Sequence, residues 1–121
     1  MAGNTRNRAW MLTLNNPPED FNPRVWPGVK YGCWQLERGV RGTTHIQGYF
    51  HFSAKKSLNQ VRQLSNPGHW EMRRGTHEQA KEYCSKAETR IDGPWEFGEE
   101  PAPGRRNDLL GVKRLIDEDR S

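Results

Sequence analysis

A chain of 121 residues and 14.1 kDa holds one domain with a small core and excludes a motor domain within this length. Nineteen Lys and Arg against fifteen Asp and Glu give a net charge of +4 and a pI near 9.3, which suits a nucleic-acid partner. Mean hydropathy is −1.07, and no apolar run approaches the ~20 residues a bilayer-spanning helix needs, so a membrane-spanning role is excluded for this stretch.

Met1–Asn7 is a polar arm expected to be disordered, bringing Arg6 to the edge of the first strand. Arg8–Asn16 alternates, with Trp10, Leu12 and Leu14 on one face and Met11, Thr13 and Asn15 on the other, and Pro17 and Pro18 end it. Asn15 and Asn16 read equally as turn formers and as polar groups at a functional sheet end. Pro17–Gly28 carries four prolines and is expected to be irregular or a single turn.

Val29–Glu37 reads as a second strand with Trp34 and Leu36 opposite Gln35 and Glu37. Arg38–Thr44, with Gly39 and Gly42, is a hairpin loop leading to a third strand over His45–Ser53. In that strand Ile46, Gly48, Phe50 and Phe52 form the core side, and His45, Gln47, Tyr49 and His51 form a polar side. The hairpin brings Glu37 beside His45 and Gln47. Carboxylate, imidazole and amide oxygen make a thiol-free set suited to Mg²⁺ or Mn²⁺ rather than structural zinc, although two solvated polar residues are the ordinary meaning of His-x-Gln in a strand.

Ser57-Leu58-Asn59-Gln60 opens a short helix with Leu58, Val61 and Leu64 on one stripe, stopped by Asn66-Pro67-Gly68. His69–Arg74 reads as a fourth strand with Trp70 and Met72 opposite Glu71 and Arg73. From Thr76 a T-x-x-Q capping box begins a helix free of Gly and Pro as far as Glu88, in which Ala80, Cys84 and Ala87 pack inward and Tyr83 projects outward beside Lys86. The spacing also permits Lys86 to pair with Glu82 at i,i+4. Ile91–Phe97, holding Pro94, is expected at a sheet edge. Residues 1–98 therefore form the domain, and 99–121 a Pro- and Gly-punctuated linker followed by a short amphipathic helix over Asn107–Asp119. Cys33 and Cys84 lack metal-ligand spacing and read as structural thiols in a reducing compartment, with no signal-peptide pattern. The element order predicts an α+β fold, an antiparallel β-sheet of about five strands with the helices packed on one face.

Met11-Leu12-Thr13-Leu14-Asn15-Asn16, His45-Ile46-Gln47-Gly48 and Tyr83-Cys84-Ser85-Lys86 occur in the order and approximate spacing of three motifs of rolling-circle replication initiator (Rep) proteins. The chain resembles the HUH endonuclease domain of those proteins from circovirus-like small circular single-stranded DNA viruses, over about residues 8–98. The resemblance implies an RRM-like HUH fold, Glu37, His45 and Gln47 as ligands of a divalent metal, Mn²⁺ or Mg²⁺, and Tyr83 as a nucleophile. Broader HUH enzymes carry a second histidine where Gln47 stands, and circovirus-like members share the glutamine.

By that resemblance the domain nicks single-stranded DNA at a viral stem-loop origin, keeps the 5′ phosphate on Tyr83, and rejoins strands to start rolling-circle replication in the host nucleus. Lys86 is the neighbour expected to favour the phenolate. A superfamily 3 helicase domain is expected to follow, with self-association through it or through the C-terminal region. Arg8, Trp10, Asn15, Tyr49, His51, Lys55 and Arg73 are the expected DNA-binding groups, cations interleaved with rings for a strand to follow and stack on. The rival reading is a non-catalytic single-stranded nucleic-acid-binding module, whose RNP1 pattern is absent; a third is a viral or plasmid protein that retains the fold alone.

Overall fold

The computed structural model describes residues 5–101. β1 (Arg6–Asn15) leads through one 3₁₀ turn at Pro23–Val25 to the hairpin of β2 (Val29–Arg38) and β3 (Thr44–Ser57); α1 (Leu58–Arg62), β4 (His69–Met72), α2 (His77–Tyr83) and β5 (Arg90–Gly98) follow. The helix expected over Asn107–Asp119 lies outside the described residues.

The five strands form one antiparallel sheet in the order β4-β1-β3-β2-β5. β3 is its spine. It pairs with β1 on one side and β2 on the other, so Gln47 faces both Thr13 and Gln35, while His45 faces both Asn15 and Glu37. The hairpin closes through Gly39 N–H to Thr43 O at 2.8 Å, and Gly42 sits at φ +85°, a conformation glycine adopts without penalty. β5, with Pro94, takes the expected edge position.

Alternation gives the sheet an apolar side, where Trp10, Leu12, Leu14, Trp34, Ile46, Phe50, Phe52 and Trp70 bury together with Val61 of α1. Phe50 is the hub, its ring 5.1 Å from Trp26, 6.2 Å from Trp34 and 6.1 Å from Trp70. Gly48 lies beneath it, since a Cβ there would come within 2.8 Å of the Phe50 ring. Phe50→Ala is therefore expected to cost about 4 kcal/mol. At roughly 4–8 °C per kcal/mol for a domain of this size, thermal unfolding followed by circular dichroism should show a midpoint lowered by at least about 15 °C.

The helices do not share one face. α1 covers the Trp/Phe side, whereas α2 packs on the opposite side, where Ala80 and Cys84 bury against Ala9, Tyr31, Cys33 and Tyr49. The reason is in the sheet itself: both sides of its central strands carry apolar groups, and each must be covered. The small residues of α2 fit the shallow side and the branched residues of α1 fit the side crowded with rings. Both helices begin on the expected capping boxes, Ser57 with Gln60 and Thr76 with Gln79.

α2 ends at Tyr83, earlier than its composition predicts, and Ala87 is exposed. Two tertiary contacts draw the chain off the helical path just there. The Gln35 side-chain amide donates to the Lys86 carbonyl at 2.8 Å, and the Lys86 ammonium is held by Glu37.

Candidate functional site

Glu37, the penultimate residue of β2, lies on the side of the sheet that α2 packs against, and its carboxylate is almost wholly buried. Three side chains converge on it. Lys86 Nζ lies 3.1 and 2.9 Å from the two oxygens, Gln35 Nε2 donates to Oε2 at 2.8 Å, and His45 Nε2 stands 3.1 Å from Oε1. Burial alone would raise the carboxyl, but the Gln35 hydrogen bond and then Lys86 and His45 outweigh it, and Glu37 titrates below its ordinary value of 4.5. It is ionised at neutral pH. Lys86 also places its ammonium 4.1 Å from the centroid of the Tyr83 ring. Its carboxylate partner is thus Glu37 of the sheet, not Glu82 one turn back in α2.

Gln47 shares this side of the sheet, two residues along β3 from His45. Its Nε2 donates to the Leu12 carbonyl at 3.2 Å and its Oε1 accepts from the Thr13 hydroxyl at 3.3 Å. Glu37 and His45 are in direct contact, and Gln47 is held beside them by β1. Among the described residues no three His, Cys, Asp or Glu side chains group as metal ligands, so a cation here depends on the amide oxygen as third donor. The residues fit a hard divalent ion. An ionised, buried carboxylate already compensated by a cation, with an imidazole nitrogen beside it and an amide oxygen on the same side, is chemistry such an ion accepts. It would compete with the Lys86 ammonium for Glu37.

Tyr83, the last residue of α2, is half exposed. With Gln47, Thr13 and Met11, and with His69 and Glu71 of β4, it lines a cleft of about 260 Å³. The chain's other two tyrosines are different. Tyr31 and Tyr49 are fully buried, and burial is the main cause raising both phenols, so neither is positioned or poised to react. Burial likewise raises the Cys33 thiol and, far more, that of Cys84, in accord with structural roles.

Among the groups expected to bind DNA, Arg8, Asn15 and Lys55 are exposed and His51 half-buried. Two others, Trp10 and Tyr49, are buried. Trp10 is packed in the aromatic core, its indole N–H donating to the Asn7 carbonyl at 2.9 Å, and cannot stack a base without leaving it. Tyr49 is covered by α2, its hydroxyl 2.8 Å from His77 Nδ1 and accepting from Arg73 Nη1 at 2.9 Å. Alternation put Tyr49 on the correct side of the sheet but did not reveal that a helix lies over that half. Arg73 is half-buried and serves Tyr49 in the structure described. Asn16 adopts φ +51° and its N–H donates to Thr44 O at 2.9 Å, the turn role allowed for it.

Gln35 and Thr13, which frame Glu37 and Gln47, were visible in the sequence only as residues on the same side of the alternation. His69 and Glu71 carried no motif at all. Their place in the cleft follows from β4 pairing with β1.

The sequence matches known proteins in one consistent way. A family profile described as "Putative viral replication protein" matches residues 7–87, from the start of β1 to just beyond Lys86. The master replication protein of Banana bunchy top virus is 45% identical over 89 residues, covering 74% of this chain and 30% of that protein. The replication-associated protein of Canary circovirus is 35% identical over 113 residues, 90% of this chain and 38% of that protein. The chain thus spans about a third of the length of these relatives. Among the described residues no helix is long and apolar enough to cross a membrane. With the family profile spanning every strand and helix that builds the Glu37 cluster and ending just past Tyr83 and Lys86, the chain belongs to the family of viral replication proteins.

Proposed function

We propose that this domain is a single-stranded DNA endonuclease and strand-joining enzyme that nicks a viral replication origin through a covalent 5′-phosphotyrosine. The observation that carries the reading is the Lys86 ammonium, held on buried Glu37 and lying over the ring of the one exposed tyrosine. In this reading the Tyr83 oxygen attacks phosphorus, the bond from phosphorus to the 3′ oxygen breaks, and that oxygen departs as a hydroxyl while the 5′ phosphate stays on Tyr83. Lys86 favours the phenolate by its positive charge, and Glu37 and Gln35 fix where that charge sits. A divalent ion, Mn²⁺ or Mg²⁺, held by Glu37, His45 and Gln47, would polarise the scissile phosphate and stabilise its developing charge. Because the phosphotyrosine linkage keeps the energy of a phosphodiester, an incoming 3′ hydroxyl reverses the step and joins strands. The setting is origin replication in the host nucleus, with a helicase domain and self-association belonging to the longer protein.

The non-catalytic rival is disfavoured by the sheet. A stacking platform needs exposed rings on its strands, whereas among the described residues the exposed large hydrophobic groups are Val25, Val40, Tyr83 and Ile91, of which only Ile91 lies in a strand and none is a strand aromatic. The test is direct. The protein incubated with Mn²⁺ and an oligonucleotide library should yield a denaturation-resistant protein–DNA adduct, and none forming with any sequence would defeat the reading.

Binding itself should weaken with salt as exposed cations such as Arg8 and Lys55 release counterions from the strand. For about four phosphates contacted, log K should fall with a slope of roughly −3 against log salt, at ~0.7 per phosphate. A flat response by fluorescence anisotropy would count against a backbone-following groove.

A further inference from the structure

Beside Tyr83 stands a pair of side chains that the proposed chemistry leaves unused. His69 Nε2 lies 2.8 Å from Glu71 Oε2 on β4, and both side chains are more than half exposed, at 68% and 57%. β4 extends the sheet beyond β1, with His69 opposite Thr13 and Glu71 opposite Met11. Two clefts meet at this point. The one of about 260 Å³ reaches from Glu71 to Gln47, and another of about 410 Å³ shares Met11, Glu71 and Tyr83 and continues to Arg74. Both clefts are thus lined by Glu71 and by Tyr83.

A carboxylate at this place needs an explanation, because any strand brought to Tyr83 is a polyanion. Glu71 does not join Glu37 around one ion: β1 and β3 separate their strands, and three strand spacings are about 14 Å. His69 holds its carboxyl below the ordinary range by hydrogen bonding, so Glu71 is an acceptor only. The donors a single strand offers are on the edges of its bases. Adenine, cytosine and guanine each present an exocyclic amino group there, whereas thymine presents two carbonyl oxygens around its one N–H and repels a carboxylate.

We infer that Glu71, oriented by His69, reads the base adjoining the scissile phosphate and selects one that bears an amino group. The inference rests on the nuclease reading above and adds a specificity residue to it. Arg74, which lines the second cleft with Glu71 and Tyr83, then meets the next backbone phosphate.

The experiment uses oligonucleotides carrying each of the four bases in turn at the two positions flanking the cut, with adduct yield as readout. For the parent, thymine at one of these positions should lower the initial rate about tenfold relative to the preferred amino-bearing base, the low end of discrimination by base-edge hydrogen bonds. Glu71→Gln, whose amide both donates and accepts, should narrow that gap to about twofold or less. Equal discrimination in parent and variant, or none at either position in the parent, overturns the proposal. The same series is read as binding with a Tyr83→Phe protein. Absence of any adduct with the parent would then refute the nuclease reading alone, while the thymine penalty in binding, and its loss in a Tyr83→Phe protein also carrying Glu71→Gln, still decides the role of Glu71.

Discussion

Tyr83→Phe should bind origin DNA nearly as tightly as the parent and form neither adduct nor nick, its cleavage rate lowered on the order of 10⁴-fold or more. Only one oxygen is removed, from a half-exposed ring whose neighbours Ala80 and Cys84, not Tyr83 itself, make the packing contact with the sheet, so the cost in stability should be under about 1 kcal/mol. Rescue by another tyrosine is not expected, because Tyr31 and Tyr49 are sealed beneath α2. The parent should also transfer its bound 5′ end to a supplied 3′ hydroxyl. Peptide mapping of the trapped complex by mass spectrometry should find the nucleotide on Tyr83; an adduct on another residue, or nicking by the phenylalanine variant, would refute the mechanism.

Chelation is expected to have the next largest effect. Excess EDTA should stop cleavage and added Mn²⁺ or Mg²⁺ restore it, and His45→Ala should lose at least about 100-fold in rate at saturating metal. A second readout is independent of activity. An ion that binds only the folded protein stabilises it by about 2.7 kcal/mol at a hundred times its Kd, so Mn²⁺ should raise the unfolding midpoint of the parent and leave that of His45→Ala nearly unchanged. Since the ion competes with Lys86 for Glu37, Lys86→Met should retain or strengthen the metal-induced stabilisation while slowing cleavage. Full cleavage in excess chelator would remove the metal from the mechanism.

The contact between Lys86 and Glu37 shows where local reasoning runs out. Helical spacing offered Lys86 the carboxylate of Glu82, and nothing near it in sequence pointed to a partner 49 residues away. The same contact, with the Gln35 bond to the Lys86 carbonyl, ends α2 at Tyr83 and so leaves the tyrosine at a helix end beside the cleft rather than in mid-helix. Trp10 and Tyr49 make the converse point. A ring in a strand has the same sequence signature whether water or a helix covers it.

The sequence by itself determined the strands, because period-2 alternation and β-branched or aromatic residues act over a few positions, and it determined both helix starts, because a capping box is closed within four residues. It also determined that Glu37 and His45 would meet, since a short glycine-bearing loop fixes the register of the hairpin joining them. Only the tertiary structure decided which side of the sheet each helix covers, where α2 stops, and that β4 returns to pair with β1 and bring His69 and Glu71 to Tyr83. These are pairings between segments far apart in the chain, settled by which apolar surfaces bury each other and which charges find partners there, and no local pattern encodes them.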